Sequence, residues 1–336
     1  MTSNSSLGGL LRRPEAGAFL GLVAVLIFFA VFGGLTFLQP AGMSSWLNVA
    51  ANLGIIAIPV GLLMIAGELD ISVGAMVPFG AMTTAVISGH YGLPIWLGIA
   101  AALGFGVIVG LINGYMVIRT AVPSLIVTLG SLFAVQGIVL GLTVLITKST
   151  SVALATEGPA KTIFGDFILG GQLQTAVGWW LAFTACYIFF VHFSRYGNWI
   201  FAMGGDKVSA RNAGIPTDRM TILLFVLSST SAAFVGMSQA ILYNSAQVAG
   251  GQSFIFNAII SVVVGGVLLT GGFGSVIGIF FGTITFAIVN QGIYYTDFDR
   301  NWSSLIIGVL LLGAVLMNNT FRKMALSYAP KKGGKA

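Results

Sequence analysis

The polar stretch Ser194–Met220, SRYGNWIFAMGGDKVSARNAGIPTDRM, interrupts a chain that is otherwise strongly apolar. The apolar runs 176–193 before it and 220–243 after it are each long enough to cross a bilayer, because a span needs about 20 apolar residues. Its charged residues are Arg195, Lys207, Arg211 and Arg219 against Asp206 and Asp218. This basic bias is typical of a cytoplasmic loop. The stretch therefore predicts a cytoplasmic segment between two membrane-embedded parts of the chain.

A short helix is predicted inside this stretch, over the residues KVSARNA. Asp206 can cap its N-terminus, because a carboxylate accepts hydrogen bonds from the free N–H groups of the first turn. Gly214 stands where a left-handed C-terminal cap belongs, and Pro216 blocks continuation. A helix this short is marginal alone in water, so it needs a surface to dock against. From these residues alone, a docking helix and an ordinary solvated loop are both open.

Residues 202–220, AMGGDKVSARNAGIPTDRM, resemble the cytoplasmic segment of ribose-type ABC sugar-importer permeases, which carries a GGN-x-x-A-A-x-x-x-GI pattern. The resemblance implies that this segment is the coupling element that meets a separate ATPase subunit and receives its motion. The predicted coupling residues are Gly204, Gly205, Asp206, Ala210, Arg211, Gly214, Ile215 and Pro216.

The composition indicates an integral membrane protein. Hydrophobic residues make up 57% of the 336-residue chain and charged residues only 7%, against about 25% charged in a soluble protein. The 46 glycines suit helices that pack closely through small residues. The single cysteine, Cys186, cannot form an internal disulfide. The net charge of +6 does not imply a nucleic-acid partner. In a membrane protein, the relevant question is on which side of the membrane the charges lie.

Ten apolar runs predict an all-α, polytopic helix bundle of about ten spans, with eight as the alternative count. The runs are 17–38, 46–66, 73–89, 94–118, 124–146, 176–193, 220–243, 257–270, 275–295 and 303–319. Several are short and interrupted by glycine, which suits half-helices or re-entrant segments buried in protein. The whole chain, 1–336, is predicted to be one permease domain with polar tails at 1–16 and 320–336.

The charges orient this bundle with both termini in the cytoplasm of a bacterial inner membrane. Ten crossings place these basic residues inside: Arg12, Arg13, Arg119, Arg195, Lys207, Arg211, Arg219, Arg322, Lys323, Lys331, Lys332 and Lys335. Only Lys148, Lys161 and Arg300 fall outside, together with Glu157, Asp166, Asp297 and Asp299. The longest outer loop, 147–175, is either the face for an external partner or a simple surface loop.

Polar residues within apolar runs are informative because burying an unpaired polar group is costly. The run GELDISVGA, 67–75, holds the carboxylates Glu68 and Asp70 at the join of two apolar segments. Three interpretations are open: capping of the next helix at Ser72 and Val73, a proton or cation site, and a site for a hydroxylated solute. The run resembles the GGIDLSVG signature of sugar permeases, from which Glu68 departs.

Two further clusters complete the candidate pathway. Asn113 lies near the inner end of a span, in a run that resembles the family's N-G…P…T-L-G pattern; an interhelical hydrogen bond and a solute contact are equally open for it. The glycine-dense run 265–278 resembles the family's GG-x-x-L-x-GG-x-G-S-x-x-G pattern and precedes Asn290 and Gln291. A weak echo between 106–114 and 282–292 predicts a two-half organisation.

The sequence has no Walker pattern, metal-ligand cluster or Ser/His/Asp triad, so it predicts a transport subunit and not an enzyme. The resemblance implies an importer permease for a monosaccharide, polyol or similar solute. It also implies four partners: an ATPase subunit that binds ATP and Mg²⁺, a periplasmic binding protein, a second permease copy or paralogue, and the surrounding membrane lipid. The predicted substrate pathway is Glu68, Asp70, Ser72, Asn113, Asn290 and Gln291. The alternative is a proton- or sodium-coupled carrier that uses Glu68 and Asp70.

Overall fold

Helices form nearly all the secondary structure in a computed structural model that describes residues 14–120, 122–302, 304–313 and 315–316. The helices are α1 Pro14–Phe32, α2 Gly34–Leu38, α3 Pro40–Ile65, α4 Val73–Thr84, α5 Ile95–Thr120, α6 Ser124–Thr147, α7 Pro159–Phe164, α8 Thr175–His192, α9 Arg195–Gly205, α10 Lys207–Asn212, α11 Thr217–Tyr243, α12 Gln252–Val264, α13 Val276–Gly292 and α14 Ser304–Gly313. A π-helical turn, Ala85–His90, extends α4, and short 3₁₀ turns cover Ile293–Tyr295 and Arg300–Trp302. The strands are β1 Ser151–Ala153, β2 Phe167–Ile168, β3 Leu173–Gln174 and β4 Ser245–Gln247.

Seven helices in the described residues are long and apolar enough to cross a membrane: α1, α3, α5, α6, α8, α11 and α13. The remaining three predicted spans coincide with the shorter helices α4, α12 and α14. The predicted all-α, polytopic bundle is confirmed, while the full count of ten and the two-half organisation stay predictions. The tail 320–336, most of the tail 1–16 and the charges on them lie outside the described residues.

Helix α3 is the centre of the bundle. About 89% of its span is buried inside the protein, against 28% for α5, α6 and α8. From residue 53 to residue 65 it is apolar on every side, which is the pattern of a helix surrounded by protein, and α8, α11, α12 and α13 pack against it. Helices α5 and α6 lie farther out, packed on α11 and α4, and their outward faces are exposed.

Close packing of α5 on α11 sets the position of the buried asparagine on α5. Three glycines spaced one turn apart on α5 face the α11 backbone so closely that an added Cβ would lie 2.5–2.8 Å from an α11 Cα atom. The pairs are Gly106 with Thr230, Gly110 with Val226 and Gly114 with Ile222. Small residues allow such close approach where lipid removes the hydrophobic drive. As a result Asn113, between the last two glycines, is fully buried.

The outer loop 147–175 is ordered and sits over the ends of the spans. Strand β1 pairs with β4 in antiparallel fashion, and β2 pairs with β3 in a hairpin. The Lys161 ammonium donates to the carbonyls of Ile241 (2.6 Å) and Leu242 (3.0 Å) in the last turn of α11, where a cation offsets the negative helix end. Because α11 is about 40 Å long and begins next to 194–216, the outer loop and the basic segment lie at opposite ends of the bundle.

Candidate functional site

The break between α3 and α4 carries the one fully buried carboxylate among the described residues. A turn with Gly67 at φ +87° ends α3, and α4 starts after Ser72. Asp70 is fully buried, and its Oδ1 accepts hydrogen bonds from the Ser72 backbone N–H (2.9 Å) and hydroxyl (2.6 Å). The Asp70 carboxylate thus holds Ser72, the residue that precedes α4, whereas Val73 receives no such bond and the first turn of α4 has no side-chain cap.

This carboxylate begins a chain of hydrogen bonds across three helices. Asn113 of α5 donates from Nδ2 to the Ser72 hydroxyl (3.0 Å), and Ser131 of α6 donates to Oδ1 of Asn113. We call Asp70, Ser72, Asn113 and Ser131 the polar cluster. The structure therefore gives Asn113 the interhelical bond that was one of its two interpretations. Ser131 was missed in the sequence, where one serine in an apolar helix gives no signal.

The polar cluster has an unsatisfied side that faces α11. Oδ2 of Asp70 is buried without a hydrogen-bond partner, as are the hydroxyls of Ser228 and Ser229. Both serines lie beside the carboxylate, although neither reaches it with hydrogen-bond geometry. A buried polar group without a partner costs about 1–3 kcal/mol. These three groups form a polar patch inside the bundle that can bond water or a hydroxyl group. Two serines within a long apolar helix carry no local signal, so sequence reasoning missed them.

Glu68 does not join the polar cluster, so the structure does not bring the two carboxylates of the predicted pathway together. Its Oε1 lies 2.5 Å from the Lys207 ammonium at the start of α10, and its side chain is only 12% exposed. The reason is the turn at Gly67, which points residue 68 toward the cytoplasmic segment while residue 70 points into the bundle. The two carboxylates therefore have different partners and different roles.

Asn290 and Gln291 also lie apart from the polar cluster. The Gln291 amide donates to Oδ1 of Asn290 (2.9 Å), near the end of α13. Tyr295, just beyond, donates to Ser45 (3.3 Å) near the start of α3, whereas Asp70 follows the end of α3. The two groups are thus at opposite ends of the central helix, and the predicted pathway residues do not form one cluster.

A cleft of about 230 Å³, named the outer cleft because it lies at the predicted outer end of the bundle, opens between α4, α11 and the segment 245–250. Its lining residues are Val77, Pro78, Ala81, Gln239, Ala240, Tyr243, Ser245, Ala246, Gln247, Ala249 and Gly250. None of these side chains is charged. Within the part of the chain that the structure describes, the amides of Gln239 and Gln247 make no hydrogen bonds. The cleft offers amide, hydroxyl and aromatic groups, which is a lining for a neutral polar molecule.

The segment 194–220, predicted to be cytoplasmic, contains the predicted short helix. Asp206 caps α10 by accepting from the Ser209 N–H (2.5 Å), and this bond holds the pKa of the Asp206 carboxyl below its ordinary value. At the other end Gly214 has φ +83°, its N–H donates to the Arg211 carbonyl, and the Ile215 N–H donates to the Ala210 carbonyl. These two bonds are the Schellman arrangement that stops a helix. Pro216 then leads directly into α11.

The two faces of α10 differ. Ala210 is buried, and half-buried Ile215 follows the helix. Arg211, predicted as a docking residue, instead donates to Thr217 (3.1 Å) and to the Asp218 carboxylate at the start of α11. The free face presents Val208, which is 70% exposed, beside exposed Ser209 and Asn212. Val208 was not singled out from the sequence, because one valine in a polar segment is unremarkable without knowledge of its exposure.

The glycines before α10 have separate surroundings. Gly204 is pressed against the Ile65 carbonyl and the Gly272 N–H, so a side chain there has no room. Gly205 faces open space. The predicted coupling segment is therefore anchored at Gly204, and the residues that follow it are exposed at Gly205, Asp206, Val208 and Ser209.

In the described residues, seven apolar spans that enclose buried polar groups, with a short helix at one end, form a polytopic membrane protein. The family model described as "Branched-chain amino acid transport system / permease component" matches residues 42–315, and the chain belongs to this family. It is 29% identical over 317 residues to the fructose import permease protein FrcC of Rhizobium meliloti, covering 93% of this chain and 87% of that protein. It is 27% identical over 305 residues to the ribose import permease protein RbsC of Escherichia coli (strain K12), covering 89% and 92%.

A third relative, the inner membrane ABC transporter permease protein YjfF of Escherichia coli (strain K12), is 30% identical over 269 residues, or 78% of each chain. No solved structure gives a significant match. The resemblance to ribose-type ABC permeases is thereby confirmed.

Proposed function

We propose that this chain is the membrane-spanning permease subunit of an ATP-driven importer for a monosaccharide, polyol or similar hydroxylated solute. The observation that carries the proposal is α10, a capped helix of six residues with Val208 exposed. An apolar side chain presented on so short a helix suits a groove on a partner protein. The relatives whose names specify fructose and ribose import support the solute class.

The partner at α10 is an ABC ATPase. ATP and Mg²⁺ would bind to that subunit. A periplasmic binding protein would deliver the solute at the other end, where the ordered loop 147–175 covers the spans. The exposed apolar faces of α5 and α6 would contact lipid and a second permease copy or paralogue. In this arrangement the chain is a single permease domain in a bacterial inner membrane, with both tails and the segment 194–220 in the cytoplasm.

The solute class is supported by the outer cleft and the polar cluster. The cleft has free amides at Gln239 and Gln247 and no charged side chain, and deeper in the bundle Oδ2 of Asp70 lacks a partner. Sugar and polyol hydroxyls donate and accept hydrogen bonds, so they match amides and carboxylates without needing a counter-charge. We infer that the solute passes from the cleft along α11 toward the polar cluster.

The alternative, a carrier driven by an ion gradient, needs Glu68 and Asp70 to act together. Glu68 pairs with Lys207 and Asp70 bonds Ser72, so the two carboxylates do not share a site. The test uses cells that express the full importer and a panel of radiolabelled fructose, ribose and xylose. We expect uptake of one of these sugars to persist when an uncoupler collapses the proton gradient and to stop when ATP is depleted. Loss of uptake with the uncoupler alone, at normal ATP, would favour the carrier.

The orientation is tested by labelling single cysteines. Ser151 on the outer loop and Ser209 on α10 are both exposed, and each is replaced by cysteine in a Cys186→Ala background. In intact spheroplasts, a membrane-impermeant maleimide is expected to label Ser151→Cys and to leave Ser209→Cys unlabelled until the membrane is permeabilised. Labelling of both positions in intact spheroplasts would reverse the proposed placement of α10.

A further inference from the structure

Three segments that are far apart in the sequence meet beneath the short helix α10. The Gly272 N–H donates to the Ile65 carbonyl (2.8 Å), and the Gly204 backbone packs against both groups. A Cβ on Gly271 would lie 3.0 Å from the Gly204 carbonyl and 3.1 Å from the Cα of Gly67. We call Gly67, Gly204, Gly271 and Gly272 the glycine junction. Backbone meets backbone there without side chains between, so the three segments cannot move independently.

An ion pair crosses the same junction. Lys207, the first residue of α10, lies 2.5 Å from Glu68, and the two side chains are 33% and 12% exposed. Exposed ion pairs contribute little to stability. The pair Arg211–Asp218 is of this kind, with side chains 60% and 50% exposed. An ion pair that is partly shielded from water interacts more strongly. Removing one partner leaves the remaining charged side chain poorly solvated. Lys207 and Glu68 therefore fix the start of α10 to the end of α3.

From Glu68 the connection continues into the polar cluster. The N–H of Leu69 donates to the Ser124 hydroxyl of α6 (3.0 Å), and the Thr128 hydroxyl donates to the Leu69 carbonyl (3.3 Å). The next residue is Asp70, whose Oδ1 holds Ser72. Bonded groups thus run without interruption from α10, through residues 68 and 69, to the carboxylate.

We infer that the Lys207–Glu68 ion pair is the link by which displacement of α10 repositions the Asp70 carboxylate, so that these two residues are positioning residues for transport. The inference rests on the proposed function, because it takes the displacement of α10 to come from the ATPase. It gives Glu68 a role distinct from the predicted solute contact: Glu68 acts on the pathway through the backbone of residues 69 and 70. Physical continuity alone does not demonstrate coupling, so the test is a charge exchange.

The experiment compares the unmodified protein with Glu68→Lys, Lys207→Glu and the double exchange, each co-expressed with its ATPase and binding protein. We expect each single variant to lose at least tenfold in uptake while the ATPase still co-purifies, since the exposed face of α10 is unchanged. Glutamate at the first position of α10 is favourable to the helix dipole, so a loss in Lys207→Glu does not come from unfolding of α10. The double exchange should restore uptake to within about threefold of the unmodified protein.

Arg219→Glu is the matched control, because Arg219 is an exposed basic residue of the same segment with no ion pair among the described residues. It should retain normal uptake. Normal uptake in both single variants, or recovery of melting temperature without recovery of uptake in the double exchange, would overturn the inference and leave the proposed function intact. Failure of the unmodified protein to bind any ATPase would overturn both.

Discussion

Asp70→Ala is expected to reduce sugar uptake at least tenfold, while Asp70→Asn retains most of it. Alanine removes the acceptor for both Ser72 groups, which loosens the entry to α4 and frees the Ser72 hydroxyl, to which Asn113 donates, to rotate. For comparison, loss of a helix cap costs about 0.5–2 kcal/mol, and about 1.4 kcal/mol corresponds to a tenfold change. Asparagine keeps an acceptor toward Ser72, and its amide can donate to the free hydroxyls of Ser228 and Ser229.

The measurement is initial uptake rate, normalised to the amount of permease in the membrane. Thr283→Val is a suitable control, because Thr283 is equally buried but bonds only its own helix, at the Phe280 carbonyl; its uptake should be close to normal. Equal losses in Asp70→Ala and Asp70→Asn would show that the negative charge itself is needed. Normal uptake in Asp70→Ala would remove the polar cluster from the transport pathway.

Gly214→Val is expected to abolish co-purification of the ATPase and, with it, uptake. Gly214 has φ +83°, a region strongly disfavoured for β-branched residues, and the strain is about 1–3 kcal/mol. That is small for the whole bundle but large for a helix of six residues. An added Cβ would meet no atom within 4 Å, so the loss would come from the backbone and not from a clash.

Gly214→Asn separates this explanation from others, because asparagine tolerates the left-handed conformation and is the common alternative to glycine at this position. It should keep ATPase binding and at least half of the uptake, although its side chain is as bulky as that of valine in the same open space. If Gly214→Val binds the ATPase normally, or if both variants fail alike, the shape of α10 is not what the partner recognises.

Features governed by neighbouring residues could be predicted from the sequence. Asp206 and Gly214 lie within a few residues of the backbone groups that they satisfy, so the bounds of α10 followed from capping rules. The break at 67–75 was visible for the same reason, as two carboxylates and glycines between apolar runs. The all-α membrane architecture followed from composition and run length, which do not depend on how the helices pack.

Features governed by helix packing could not be predicted. Glu68 meets Lys207, which is 139 positions later, and no local pattern in either segment indicates the other. Asn113 reaches Ser72 only because α5 packs closely on α11. Arg211 is a basic residue in a predicted docking segment, and its ion pair with Asp218 could not be foreseen. The pair forms because the chain turns at Gly214 and returns Asp218 to the side of Arg211. The separation of Asn290 from Asp70 likewise depends on the direction of α13 along α3.

The burial of α3 has a consequence for biogenesis. This helix is made early, but α13, which covers part of it, is completed more than 200 residues later, or about 10–40 s later at 5–20 residues per second. During that time the side of α3 that α13 will cover must remain in lipid or against the translocation machinery, which the apolar run 53–65 permits. Final assembly of the subunit is therefore a late event in synthesis. Chains that stop before α13 expose the side of α3 that α13 covers in the complete subunit. We expect membrane proteases to degrade such truncated chains.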